Sequence, residues 1–281
     1  PELLAGFDSR LNIYKEVTLT ADLSHLSTNQ KQMLALLIDA SKIMDDLFWL
    51  QAYSQDKESF LASISNEEVR RFAEINYGPW DRLDGDKIFL SQIKAKAHGA
   101  EFYPSDMTKA EFEKNDFSDK KGLYSVVRRD NEGKLMSVSY SEIYHDKMTR
   151  AAAILDEASK FADDKEFANY LTMRAQALRT DEYQASDFVW MDMKNNPIDV
   201  VIGPIESYED QLYGYRAAFE SYVLIKDQSW SEKLAKYAQF LPELQKGLPV
   251  PKKYKAEVPG SDADLNAYDV IYYAGHSNAG S

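Results

Sequence analysis

Val200-Val201-Ile202-Gly203-Pro204-Ile205-Glu206-Ser207-Tyr208-Glu209-Asp210 is the stretch on which the reading of the fold turns. The apolar run Val200 to Ile202 predicts a buried strand, Gly203-Pro204 ends it, and Ser207 followed three residues on by Asp210 predicts a helix start. Leu212, Tyr215, Phe219, Tyr222 and Val223 then keep the helical period, so a helix is expected over them. The junction sets a carboxylate, Glu206, two residues from a phenol, Tyr208. Glu206 can hold a cationic group or take a proton, and Tyr208 can donate a hydrogen bond to a carbonyl. On the local pattern alone, capping and function are both open for Glu206.

Upstream, helical patterning dominates, with starts marked by Ser, Thr or Asp followed three residues later by Glu or Gln, a pairing that satisfies unpaired donors of a first turn. Ser27 with Gln30 opens a core helix through Met33, Leu37, Ala40, Met44, Leu47 and Phe48 to about Tyr53. Ser65 with Glu68 opens a second that stops near Asn76, and Thr108 with Glu111 a short third. Ser139 with Glu142 begins a long amphipathic run to Phe161, restarted at Asp163 with Glu166, and the two helices are expected to pack antiparallel. Ser229 with Glu232 opens a last helix to about Leu241.

Three regions read as β. Leu123 to Arg129 and Lys134 to Ser139 flank the turn Asp130-Asn131-Glu132-Gly133. Asp187 to Met193 and Ile198 to Ile202 flank Asn195-Asn196-Pro197, giving hairpins near 123–139 and 187–202, and a further strand is expected near 269–273. The fold class that follows is α+β, mostly helical, with a small antiparallel or mixed sheet. Pro249 to Asn266 reads as a surface loop.

The chain has 281 residues, 44% of them hydrophobic and 12% aromatic, enough for one large domain or two intimately packed ones. Its 46 acidic against 33 basic residues give a net charge of −13, which repels phosphate backbones and anionic headgroups, so no nucleic acid and no membrane partner is expected. No apolar run approaches the ~20 residues of a bilayer span, and Pro1 to Gly6 lack the parts of a signal peptide. A soluble chain is expected, and a start without Met points to a removed leader, tag or upstream segment. Cytoplasm and periplasm both stay open. The absence of cysteine excludes disulfides and thiolate chemistry.

The histidines His25, His98, His145 and His276 are scattered singly, so no metal site is expected within the chain. No Gly-x-Ser-x-Gly elbow or glycine-rich phosphate loop occurs. The polar end Ala274 to Ser281 reads as an exposed terminus or a ligand loop. Tyr77-Gly78-Pro79-Trp80-Asp81 places two aromatics on a tight turn, either lining a groove through Tyr77 and Trp80 or plugging the core.

Ile205, Glu206, Ser207, Tyr208 and Asp210, followed by Arg216, Phe219, Glu220, Tyr222 and Val223, resemble the dipeptidyl peptidase III family of zinc metallopeptidases, in a divergent bacterial branch. The family has Ile-Glu-Ser/Thr-Tyr-Arg-Asp-Pro, then Arg-Gly-Glu-Phe-Glu-Gly-Phe-Val. Here Glu209 stands where Arg is usual, Gln211 where Pro is usual, and one extra residue precedes Arg216. Tyr77 to Leu83 and Tyr268 to Asn278 also look like that branch. The resemblance implies a two-lobed peptidase of which residues 1–281 are the amino-terminal lobe without zinc, with 27–118 as a helical subdomain. It implies that Glu206 holds the free amino terminus of a peptide and that Tyr208 contacts the peptide backbone. Asp210, Tyr77 and Trp80 complete the candidate set.

The family's zinc motif would follow residue 281, so this chain is expected to carry no catalytic residue and no metal ligand. Zinc is expected only in the full-length protein, and the expected partners are a peptide substrate and the missing carboxy-terminal zinc lobe. The fragment alone is expected to be inactive. The rival readings are a non-catalytic peptide-binding or interaction domain and a nucleotide hydrolase of the Nudix type. The glycine-then-glutamate box ending in Arg-Glu-x-x-Glu-Glu that the latter needs is not in the sequence.

Overall fold

The computed structural model describes residues 1–4, 10–256 and 265–276. Its order is α1 (Thr28–Ala52), α2 (Lys57–Ala62), α3 (Glu67–Ile75), β1 (Trp80–Asp81), β2 (Lys87–Ile88), α4 (Lys109–Lys114), β3 (Ser125–Arg129) and β4 (Leu135–Ser139). There follow α5 (Tyr140–Ile143), α6 (His145–Ser159), α7 (Lys165–Thr180), α8 (Gln184–Asp192), β5 (Ile198–Glu206), β6 (Ala218–Asp227), α9 (Gln228–Ala238), α10 (Leu241–Gly247) and β7 (Ala267–Ala274). The architecture is α+β and mostly helical, as the patterning predicts. None of the helices described is long and apolar enough to cross a membrane.

α1 forms where its cap chemistry says it must. The Ser27 hydroxyl accepts from Gln30 N–H at 3.1 Å while Gln30 accepts back from Ser27 N–H at 2.9 Å, satisfying two first-turn donors at once. One face buries Met33, Leu37, Ala40, Met44, Leu47 and Phe48, and α1 lies against α6 and β6 at the centre of the molecule. Each such side chain contributes roughly 1.5–3 kcal/mol by leaving water. α6 and α7 pack as a pair behind it. The observed caps of α3, α7 and α9 are Asn66, Asp164 and Asp227, each one or two residues from the expected Ser65, Asp163 and Ser229. A second apolar cluster, including Trp49, Tyr53, Phe60, Phe72, Trp80 and Phe89, holds α2, α3 and the β1–β2 turn.

β3 and β4 form the hairpin expected near 123–139, in register from Ser125↔Ser139 to Arg129↔Leu135. β7 is the strand expected near 269–273. The other hairpin, expected near 187–202, does not form. Asp187 to Met193 belongs to α8 and its end, and Asn195 to Pro197 joins a helix to a strand. Phe188-Val189-Trp190-Met191 is a short apolar run of the kind whose period cannot distinguish helix from strand. In the fold it is a helix packed on α7, whose Arg174 guanidinium ion-pairs with Asp187.

The helix expected after Ser207 does not form either. Residues 207–217 are a loop, and Ala218 to Asp227 is β6, the central strand of an antiparallel sheet ordered β5-β6-β7. Most of β6 is buried on both faces, so the polar-apolar alternation of a half-exposed strand is missing and Phe219, Tyr222 and Val223 only mimic a helical period. The segment 257–264 of the expected surface loop, and Ser277 to Ser281 of the polar end, lie outside the described residues.

Candidate functional site

β5 and β6 run in register from Ile198↔Ile225 to Pro204↔Phe219, then shift, so that Glu206 faces Ala218 and Ile205 is an extra residue. Such a bulge re-aims the side chains at a strand end, and here it leaves Glu206 half-buried at the end of β5. Tyr208, two residues on, is 58% exposed.

Asp210 is buried and holds the connecting loop. Its carboxylate accepts from the N–H groups of Leu212 (3.1 Å), Tyr213 (3.2 Å), Tyr215 (2.9 Å) and Arg216 (3.2 Å), and from the Tyr103 hydroxyl at 2.7 Å. Four backbone donors of the loop are thus drawn onto one side chain. Arg216, fully buried, ties the loop down by donating to the carbonyls of Gly122 and, at 2.8 Å, Lys120.

Glu209 ties the loop to the aromatic turn at 77–83. Its carboxylate accepts from Arg82 at 2.5 and 3.1 Å and pairs with Lys96 at 2.9 Å. Burial alone would raise the Glu209 carboxyl, but the Arg82 and Lys96 charges outweigh it and hold it down at about 2. Arg82 in turn bonds the carbonyl of Asn76 at 2.7 Å and lies over the rings of Phe48 and Tyr77. Two stretches separated by more than a hundred residues in the chain thus meet at one buried ion pair.

Within that turn Tyr77 is largely buried, with its hydroxyl donating to Asp45 and its ring edge-on to Phe48. Trp80 is deeper. Its indole N–H donates to the Lys94 carbonyl at 2.9 Å and its ring stands edge-on to Tyr53 at 5.1 Å, so it packs as a core plug of the second apolar cluster.

Glu220 on β6, across from Gly203 on β5, was not among the residues picked out as contacts. It is 2% exposed and one carboxylate oxygen has no hydrogen-bond partner. Burial, then the negative charges of Glu206 and Glu209, push its carboxyl up to about 8. His276, just past β7, sits edge-on to Tyr77 with Nδ1 unpartnered. Burial, then the Arg82 guanidinium, lowers its imidazole to about 4, so the ring is neutral. Gly275 lets the chain pass: its φ is +81°, and a Cβ there would stand 2.8 Å from the Phe219 carbonyl oxygen and 2.9 Å from Glu220 Cγ. The one sequence cue to Glu220 is its place in Phe219-Glu220-Ser221, a carboxylate inside an otherwise apolar strand.

The arrangement is an acidic cluster at one end of a three-stranded sheet, with one half-buried carboxylate, one buried carboxyl whose proton is held tightly and an exposed phenol. Its chemistry suits a cationic group joined to a hydrogen-bonding backbone.

Residues 110–279 match the profile of Peptidase family M49, and the chain belongs to that family. Among solved structures it is similar to DPP III from Caldithrix abyssi (36% identity, TM-score 0.87, covering 94% of this chain and 52% of that one). It is also similar to dipeptidyl-peptidase III from Corallococcus sp. strain EGB (30% identity, TM-score 0.84, 95% and 52%). A curated relative, Nudix hydrolase 3 of Arabidopsis thaliana, is 29% identical over 96% of this chain and 43% of its own length. The chain therefore spans about half the length of these relatives.

Proposed function

We propose that this chain is the substrate-holding portion of a zinc-dependent dipeptidyl peptidase of the M49 family. Glu206 takes the α-ammonium of a peptide and Tyr208 hydrogen-bonds the peptide backbone. Asp210 fixes the loop that carries Tyr208 and follows Glu206, while Tyr77 and Trp80 form and back the aromatic wall. The observation that carries the reading is the β-bulge that sets Glu206 near Glu220 at an acidic sheet end, where an ammonium is the complementary charge. A carboxylate half-shielded from water holds an ammonium by a charge-assisted hydrogen bond worth roughly 1.5–3 kcal/mol.

Zinc in such a peptidase activates a water toward the scissile carbonyl. Among the described residues no three His, Asp or Glu side chains converge as ligands, and Glu209 is committed to Arg82 and Lys96. This acidic sheet end therefore does not fit a metal, and no zinc step is assigned to it. In this reading zinc is held by the other half of a full-length protein and this half orients the peptide.

The test is made on a protein extended to the length of its relatives. Zinc-dependent release of dipeptides from a free-amino peptide is expected, with Glu206→Gln lowering kcat/KM by ten- to a hundredfold. Peptide affinity without turnover, zinc present, would instead identify a binding module.

A further inference from the structure

A second cleft, of about 350 Å³, opens between α7, α8 and β5 and takes no part in the reading above. Its walls are Tyr124, Tyr183, Trp190, Val201, Pro204 and Ile205, an apolar and aromatic lining of the size and kind found around small molecules. Two polar side chains also line it and are deeply buried: Arg174, 4% exposed, and Tyr183, 2% exposed. The Arg174 guanidinium lies over the rings of Tyr170 and Tyr183 at 5.5 and 5.4 Å, and one of its arms is held by Asp187.

Two donors in this lining have no acceptor, Arg174 Nε and the Tyr183 hydroxyl. Buried donors are normally paired, and an unpaired one marks a place where an acceptor is gained from outside the chain. Gly203 keeps the backbone of β5 close to both groups: a Cβ there would stand 3.3 Å from the Tyr183 ring and 3.8 Å from Arg174 Nη1. Asp187, by contrast, is half-exposed at the cleft, its side chain at 49% against 5% for Arg174.

We propose that this cleft binds a free α-amino acid with an aromatic or large apolar side chain. Its carboxylate meets Arg174 and the Tyr183 hydroxyl, its ammonium meets Asp187, and its side chain lies against Tyr124 and Trp190. Donors without acceptors in the lining, a carboxylate at the solvent side and aromatic walls together match a zwitterion with an apolar body. A carboxylate without the ammonium leaves Asp187 unmatched, and an amine without the carboxylate leaves the donors unmatched.

The test is titration of the full chain with L-phenylalanine, followed by calorimetry and by the fluorescence of Trp190, with N-acetyl-L-phenylalanine and phenethylamine as comparison ligands. L-phenylalanine is expected to bind saturably and at least tenfold more tightly than either. Tyr183→Phe removes only a hydroxyl that has no partner, so the variant is expected to fold with unchanged or higher stability and to bind L-phenylalanine about tenfold more weakly. Asp187→Asn is expected to narrow the preference for L-phenylalanine over its N-acetyl derivative. L-phenylalanine and a free-amino peptide are expected to bind together without competing. Absence of saturable binding up to about 10 mM, Tyr183→Phe binding as tightly as the wild type, or displacement of L-phenylalanine by the peptide would each overturn the assignment.

Discussion

Replacing Glu220 by Gln isolates the electrostatics of the acidic sheet end, because a neutral amide of nearly the same shape takes the place of a carboxyl whose ionisation burial and the neighbouring charges of Glu206 and Glu209 oppose. In the unfolded chain Glu220 ionises near 4.5, whereas in the fold it does so only at about 8, through burial and then the charges of Glu206 and Glu209. Above pH 4.5 the unfolded state binds fewer protons than the folded one, so this group's contribution to stability falls as pH rises and levels off above about 8. At about 1.4 kcal/mol per pH unit, the loss accumulated by pH 7 is on the order of 3 kcal/mol. Gln has no such term. Urea unfolding followed by tryptophan fluorescence at pH 5, 6, 7 and 8 is expected to give near-equal stability for the two proteins at pH 5. The variant should be ahead by about 3 kcal/mol at pH 7, with little further growth beyond pH 8. A gap that does not change with pH, or a variant that weakens as pH rises, would refute the assignment of Glu220 as a buried neutral carboxyl.

The buried Arg82–Glu209 pair behaves in the opposite sense. Arg82→Met leaves Glu209 with Lys96 alone and is expected to cost about 3–5 kcal/mol in denaturant unfolding. Because the Glu209 carboxyl is held at about 2 in the fold against 4.5 unfolded, its stabilisation in the wild type is full above pH 4.5 and is lost as pH falls toward 2. Gly275→Ala, with φ at +81° and a carbonyl oxygen 2.8 Å from the new Cβ, is expected to destabilise by at least ~2 kcal/mol, read in the same unfolding assay. Asp210→Ala deprives five donors of their acceptor, and hydrogen exchange should show faster exchange at Leu212, Tyr213, Tyr215 and Arg216 than elsewhere in the chain.

The parts of the fold that could be read from sequence are those set by local chemistry. The Ser27–Gln30 capping box predicts α1 to within a residue at each end, and the Asp130 to Gly133 turn predicts β3 and β4, because both signals lie within a few bonds of the structure they specify. What could not be read depends on partners far along the chain. β6 is a strand because β5 and β7 bond its two edges and its faces are covered, and these conditions erase the period-2 signal in Phe219 to Val223. α8 is a helix packed on α7, a long-range partner that Phe188 to Met191 does not reveal. The site divides the same way. Glu206 and Tyr208 are legible at a strand end: Glu206 is the last residue of β5 and Tyr208 follows on a hairpin loop rather than a helix start. The union of that loop with the 77–83 turn through Arg82 and Glu209, and the neutral state of Glu220, arise only when the sheet end is assembled.

The central claim, that Glu206 grips the free amino terminus of a peptide, is tested most directly by calorimetric binding of one tetrapeptide in free-amino and N-acetylated forms to the wild type and to Glu206→Gln. The account predicts saturable binding of the free-amino form to the wild type. Acetylation and the substitution should each weaken it by at least tenfold, and the two losses should not add, since both remove the same contact. Equal affinity for the two peptide forms, or losses that add in full, would contradict it.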